Sequence, residues 1–522
     1  MIFNNIQLTV LPNQAANSDL LKKEIAKKLD ISEKSVSDFR VVRKSIDARS
    51  KTQVKINLSV DVFTDGSKPE PISYPFEYKD VKDKEPVIVI GSGPAGLFAA
   101  LRLIELGLRP IVLERGKDVS SRKVDIAQMN RNNGIDPESN YCFGEGGAGT
   151  FSDGKLFTRS KKKGDNYRIL LNFHKHGAQD QILFEAHPHI GTDKLPTVIK
   201  NMRSTIEQYG GEVIFQKKMT ELLIENQKIK GVKTEDGTEY TAKAVILATG
   251  HSARDVYEML HSQNIALEAK GFAMGVRVEH PQSLIDKIQY HATGRDKNLP
   301  PATYTLTTQV EGRGVYSFCM CPGGFIVPAS TFEKETVVNG MSPSKRNSEF
   351  ANSGIAVEIR VEDLKDYEEH GPLAGLRFQQ AFENMSYANS LGNQTAPAQR
   401  LEDFVKGKLS YDLPDSSYLP GLVASPMHFW MPEFIAKRLR QGFKDFNNKM
   451  RGFVTNDAII VGVESRTSSP VRIPRNAETF QHIEIEGLYP CGEGAGYAGG
   501  ITSSAMDGEK CAEKIAEYLM NN

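Results

Sequence analysis

Residues 86–116 constrain the fold more than any other stretch; they read PVIVIGSGPAGLFAALRLIELGLRPIVLERG. An apolar run, Val87–Ile90, enters Gly91-x-Gly93-x-x-Gly96. An Ala- and Leu-rich helical segment follows, then a second apolar run ending on Glu114. This is a βαβ pattern with a glycine turn at its first crossover. Gly91 permits the tight turn, Gly93 lets backbone approach a pyrophosphate, and Gly96 lets the helix lie close on the sheet. Ser92, Pro94 and Ala95 complete the turn and open the helix, whose free N–H groups suit an anion. Glu114, with Arg115 beside it, falls where a carboxylate accepts from a ribose. The stretch therefore predicts dinucleotide binding.

Two later segments extend the pattern. Lys243–Gly250 reads KAVILATG, an apolar strand ending at Thr249-Gly250, and follows a hairpin around Glu235-Asp236-Gly237. Residues 487–515 read GLYPCGEGAGYAGGITSSAMDGEKCAEKI: a short strand, Gly492-Glu493, a turn at Gly499-Gly500, and a helix from Ile501. Together with the opening turn, these segments resemble the FAD domain of glutathione-reductase-type flavoproteins. The resemblance implies FAD as cofactor, with the first turn on the pyrophosphate and Thr249-Gly250 packed beside it. It also implies Gly492-Glu493 on the ribitol, the last helix aimed at the flavin pyrimidine, and the Met219 backbone on the adenine edge. A second GxGxxG opening a βαβ unit is absent from the sequence. The resemblance is thus closer to the hydroxylase, fumarate-reductase and geranylgeranyl-reductase branches, with NAD(P)H as a transient electron donor.

The fold class expected is α/β. A Rossmann-like FAD domain with a parallel sheet, discontinuous in sequence, joins a mixed α+β substrate domain and a small N-terminal βαββ, ferredoxin-like unit. The boundaries expected are 1–80 for the small domain, then 85–150, 196–254 and 481–522 for the FAD domain. Residues 151–195 form a connecting or substrate-domain segment, and 255–480 the substrate domain. Alternation through Val54, Ile56, Leu58, Val60 and Val62 predicts a half-buried strand. Substrate-domain strands are expected at 272–278, 303–307, 324–328 and 354–361, and helices at 374–382 and 432–447.

The 65 basic and 65 acidic side chains balance, which argues against a strongly electrostatic nucleic-acid surface; the flavoprotein reading carries the expectation of a small-molecule substrate and no nucleic-acid partner. No run approaches the ~18 apolar residues of a membrane span, and the N-terminus lacks a secretory pattern. Five cysteines suit a reducing cytoplasm better than a disulfide scaffold. No metal-ligand spacing is visible; His187 and His189 read as a loop around Pro188. The sequence specifies no oligomeric state.

Three further stretches carry candidate chemistry. Tyr141–Thr158 reads YCFGEGGAGTFSDGKLFT, with five glycines that imply close backbone approach. It resembles the flavin-lining loop of fumarate-reductase-like proteins, which points to Gly146, Gly147, Gly149 and Thr150 for cofactor contact. Ser152, Asp153 and Lys155 would then meet substrate, Lys155 also holding negative charge near the flavin carbonyl. Ser317–Pro328 reads SFCMCPGGFIVP. Cys319 and Cys321 would share a face of one strand before a Pro-Gly-Gly turn. Free cysteines more often pack as small hydrophobes; the alternative is a thiol pair near the flavin. Gly462–Arg475 reads GVESRTSSPVRIPR, where Arg466 is a candidate anion holder or a structural partner of Glu464. His251, Arg254 and Asp255 read as helix-cap residues.

The ensemble resembles a bacterial family of FAD-dependent dehydrogenases, often labelled NAD-utilising dehydrogenases, over essentially the whole chain. The family implies an FAD-dependent oxidoreductase moving hydride through flavin N5. A flavin monooxygenase is the first alternative and a non-enzymatic or RNA-directed flavoprotein the second.

Overall fold

The computed structural model of the chain describes residues 1–132, 134–158 and 164–521. At its centre is a five-stranded parallel sheet in the order Leu488–Pro490, Val245–Leu247, Pro86–Ile90, Arg109–Leu113, Glu212–Ile214. Three separated pieces of chain supply it. Val87, Ile88, Val89 and Val245 are fully buried, as a parallel sheet covered on both faces requires. One face carries the helices Pro94–Glu105, Leu195–Gln208 and Ile501–Met520, whose apolar side chains share one core. The other carries an antiparallel meander, Met219–Glu225, Lys228–Thr234 and Glu239–Thr241. This is the expected Rossmann-like, discontinuous domain.

Two glycines of the first turn are obligatory. Gly91 has φ +100°, and a Cβ there would lie 2.5 Å from the Ala248 carbonyl oxygen. A Cβ on Gly96 would lie 1.9 Å from the Gly91 carbonyl oxygen. The turn and the helix that follows are therefore pressed against their neighbours.

In the N-terminal unit the strand Lys55–Thr64 lies between Ile2–Val10 and Val36–Asp47, antiparallel to both. The helix Ser18–Leu29 makes the crossover; the Asn17 side chain accepts the Asp19 and Leu20 N–H groups at 3.0 Å. Val60 and Val62 are fully buried. The edge strand bonds outward too, Lys44 exchanging backbone hydrogen bonds with Phe184 and Ala186.

The large mixed sheet runs Thr307–Val310, Arg313–Pro328, Phe350–Ile359, Phe272–Pro281, Ile459–Glu464, Ala396–Arg400, Leu422–Ala424. Two expectations need correction. The strand expected at 303–307 begins at Thr307, because the Leu306 N–H is taken by the Ser317 hydroxyl rather than a ladder carbonyl. The expected Pro-Gly-Gly turn is instead part of one strand, Arg313–Pro328, with register shifts between Phe318 and Cys321 and between Cys321 and Gly324. Gly323 (φ +48°) lets the Arg346 backbone approach to where a Cβ would collide at 1.8 Å. The segment 151–195 contributes Ile169, Leu170 and Phe173 of its helix Asn166–Lys175 to the FAD-side core; its residues 159–163 lie outside the described ones.

Candidate functional site

A cavity of about 410 Å³ lies at the carboxyl ends of the parallel strands, the usual place for a ligand in such a sheet. The strand Pro86–Ile90 delivers Gly91, Gly93, Pro94 and Ala95 to its wall, and Arg109–Leu113 delivers Glu114 and Arg115. The middle segment supplies Met219, Thr249 and Gly250, and the last supplies Glu493, Gly499, Gly500 and Ile501. Gly147, Gly149, Ser152, Asp153 and Lys155 of the Gly-rich loop, and Cys319 of the large sheet, complete it.

Two helices begin at this wall. Pro94–Glu105 has Gly93 at its N-cap and Ile501–Met520 has Gly500, and neither end has a side-chain cap. Both present unsatisfied N–H groups and the positive end of the helix dipole to the cavity. A Cβ built on Gly93 meets nothing closer than Gly147 Cα at 3.9 Å. That glycine keeps space open beside a helix N-terminus, and an FAD diphosphate fits there. The second N-terminus sits beside the Lys155 segment, since the Thr502 hydroxyl donates to the Leu156 carbonyl at 2.8 Å.

Several assigned residues do not face the cavity. Ser92 is fully buried, donating from its N–H (2.9 Å) and hydroxyl (2.8 Å) to Glu114. Glu114 also accepts the N–H groups of Gly116 (2.9 Å) and Gly144 (3.0 Å). All four acceptor sites of its carboxylate are thus engaged. These bonds tie the first turn to the Gly-rich loop, while Glu114 itself stands at the cavity wall. Gly96 and Gly492 pack behind the wall. The Gly146 N–H bonds the Ser92 carbonyl, and Thr150 is buried with its hydroxyl on the Glu145 carbonyl at 2.6 Å; neither lines the cavity. Cys321 is fully buried behind Cys319.

Arg466 is also corrected. It donates to Glu383 (2.9 Å), Glu335 (2.7 Å) and the Thr331 hydroxyl (2.9 Å), while Glu464 pairs with Arg277 at 2.7 Å. Arg254 completes the cluster, donating to the same Glu335 and Glu383. The reading of His251, Arg254 and Asp255 as caps fails because the N-cap of Arg254–Ser262 is Ala253, with no side-chain cap. Asp255 pairs with Arg115 at 2.8 Å. His251 lines the cavity; burial, with Arg466, Arg254 and Lys270 nearby, pushes its pKa down to about 3. It is a neutral imidazole at physiological pH.

Residues without a sequence signal organise the site. Arg122, fully buried, donates to the carbonyls of Asn140, Gly144, Glu145 and Tyr141 and so holds the Gly-rich loop in shape. Asp507 accepts the Gly492 N–H at 2.8 Å and both Arg475 amino groups. Sequence spacing marks Glu493 as the late acid; the buried one fixing that turn is Asp507, inside the last helix.

Glu493 instead faces the cavity. Burial raises its pKa to about 7, Lys270 only partly opposing this. Because the folded-state value lies above the usual one, its ionisation destabilises the fold as pH rises from about 4.5 to 7. In protein stripped of FAD, Glu493→Gln should therefore gain about 1–3 kcal/mol relative to wild type across that interval, measured by urea unfolding. A pH-independent difference would place the carboxyl in a solvated environment.

The Lys155 ammonium pairs with Asp153 at 2.9 Å and lies 3.6 Å from Cys319 Sγ and 3.4 Å from Cys321 Sγ. Burial works against its charge, but Asp153 and the two sulfurs outweigh that and raise its pKa. A hydrogen bond with Cys321, together with Lys155 and Arg277, holds the Cys319 thiol well below its ordinary value, whereas burial drives Cys321 up. Cys319 also has φ +46°, a conformation costing about 1–2 kcal/mol for a residue with a Cβ.

Comparison with known proteins agrees with this geometry. Residues 271–467 match the family described as FAD-dependent protein, C-terminal domain-like, residues 86–282 match glucose inhibited division protein A, and residues 1–63 match a domain of unknown function. A 55-residue stretch is 44% identical to the Streptococcus sanguinis tRNA uridine 5-carboxymethylaminomethyl modification enzyme MnmG, covering 10% of this chain and 9% of that one. Among solved structures, a geranylgeranyl bacteriochlorophyll reductase-like protein from Thermoplasma acidophilum aligns at 12% identity and a TM-score of 0.36, covering 84% and 80% of the two chains. Aquifex aeolicus GidA aligns at 13% and 0.33, covering 84% and 64%. A Clostridium beijerinckii protein described as uncharacterized is 41% identical over 98% of both chains. No helix among the described residues is long and apolar enough to cross a membrane. With that full-length relative and the FAD-dependent C-terminal match, the chain belongs to a bacterial family of FAD-dependent oxidoreductases.

Proposed function

We propose that the protein moves hydride between a nicotinamide donor, NADH or NADPH, and a small-molecule acceptor. The observation that carries this reading is the single cavity into which two uncapped helix N-termini, Glu493 and Lys155 converge from separated parts of the chain. Bound FAD supplies the two-electron chemistry.

The chain's own residues bind and tune. The Gly93–Pro94 helix end holds the diphosphate, with the Met219 backbone on the adenine side. Glu493, neutral below about pH 7, both donates to and accepts from ribitol hydroxyls. The N-terminus at Ile501 and the Lys155 ammonium stabilise negative charge that develops on a reduced isoalloxazine. Phe157 and Phe318 narrow the cavity on that side. Substrate enters between the FAD-side wall and the large sheet, where Ser152 and Asp153 meet it.

Anaerobic titration of the purified protein tests the reading. NADH or NADPH should bleach the flavin absorbance, and an acceptor from a small-molecule screen should restore it. A flavin that neither nucleotide bleaches would remove the proposed donors. Oxygen uptake matched one-to-one by substrate hydroxylation would make the protein a monooxygenase.

A further inference from the structure

Small hydrophobes packed on a sheet face need no cation beside them. Cys319 and Cys321 have one. Their sulfurs converge on the Lys155 ammonium at 3.6 and 3.4 Å, on strand and loop from opposite walls of the cavity. Behind them Arg277 lies 3.6 Å from Cys321 Sγ and donates to the Cys319 carbonyl at 2.6 Å. The network continues through Asp153 to Arg346 and through Glu464 to Arg277. Lys155, Arg277 and Arg346 thus stand against Asp153 and Glu464, an excess of one positive charge that a single thiolate neutralises.

The two thiols differ in access. Cys319 lines the cavity, while Cys321 is fully buried and points its S–H at the Cys319 carbonyl 3.3 Å away. One sulfur is therefore presented to a ligand and the other is held in reserve beside it. Strand rise sets Cα atoms two residues apart at about 6.6 Å, inside the upper limit for a disulfide. The register shift at this point of the strand frees it from ladder geometry.

We propose that Cys319 and Cys321 form a dithiol–disulfide couple that exchanges two electrons with FAD bound in the cavity. The inference rests on the FAD reading above and adds a second redox centre to it. In the reducing direction the Cys319–Cys321 S–S bond takes two electrons from reduced FAD, which is oxidised. The bond breaks, Cys319 leaves as a thiolate beside Lys155, and Cys321 takes the proton. The reverse step forms the S–S bond, releases that proton and returns both electrons to oxidised FAD. Lys155 is a positioning residue that favours the thiolate.

The FAD-holding full-length protein is titrated anaerobically with dithionite, and its cysteines are mapped by iodoacetamide and peptide mass before and after reduction. Wild type should take up two more electrons per FAD than Cys319→Ser or Cys321→Ser. Its oxidised peptide spanning both residues should resist alkylation and be two mass units lighter than the reduced one. Lys155→Gln should slow alkylation of Cys319 at neutral pH about tenfold. Equal electron uptake in all variants, with both cysteines alkylated in oxidised protein, overturns the couple and leaves the FAD reading standing. Protein that stays without flavin absorbance when FAD is supplied at saturating concentration overturns the FAD reading itself.

Discussion

Gly93→Val should yield a folded protein that has lost FAD. At Gly93 the backbone is extended (φ −70°, ψ −176°), which valine adopts freely, and the new side chain has room because the nearest atom to a Cβ is 3.9 Å away. That room is the space beside the helix N-terminus that a diphosphate needs. Loss of the glycine N-cap should cost no more than about 1 kcal/mol of stability. Overpacking against a bound diphosphate should weaken FAD about hundredfold, near the upper end of the usual overpacking penalty. Equilibrium dialysis with FAD, beside a urea melt, reads both effects. Gly96→Val is the contrasting variant. Its Cβ would meet the Gly91 carbonyl at 1.9 Å, so it should fail to fold rather than fail to bind. FAD bound by Gly93→Val at wild-type affinity would mean that the diphosphate lies elsewhere.

Glu383→Leu should be the most destabilising single change outside the cofactor turn, by about 3–5 kcal/mol in urea unfolding. Glu383 is fully buried and accepts from Arg254, Arg466 and the Ser465 hydroxyl. With Glu335 it balances the two arginines; removing it strands an excess positive charge in the interior. Leaving the two arginines together without their principal acceptor is the cost, more than the lost pairing itself. Burial opposes ionisation, but Arg254 and Arg466 outweigh it and depress the Glu383 pKa to about 2. The contribution of Glu383 is therefore complete above about pH 4.5 and is lost as pH falls toward 2. The difference between wild type and variant should shrink over that acid range. A loss below about 1 kcal/mol at pH 7 would show that the cluster does not anchor the helix Arg254–Ser262 to the helix Ala374–Ala388.

The first glycine turn is legible because its demands are local. A positive φ at Gly91 and the contact between Gly91 and Gly96 follow from the turn itself, so the residue pattern announces them. The convergence of 86–113, 212–247 and 488–490 into one sheet is legible from three apolar strands, Pro86–Ile90, Val245–Leu247 and Leu488–Pro490, that each run into a glycine turn. Charge pairing is not. Arg466 sits two residues from Glu464 in sequence, yet each finds its partner on a different element, because the strand ends at Glu464 and Arg466 lies in the loop beyond it. Arg122, in a helix with no distinguishing pattern, acts through four loop carbonyls that only the tertiary fold brings to it. Pro322-Gly323-Gly324 reads as a turn because those residues usually make one; here the glycines serve the close passage of the 340s backbone instead.

One FAD must span the cavity from the Gly93 turn to the last helix. The absorbance spectrum of the purified protein, with quantification of the nucleotide released on denaturation, tests this most directly. It should show one FAD per chain, bound without other additions or taken up stoichiometrically when FAD is supplied. A colourless protein that takes up no FAD at saturating concentration would contradict it.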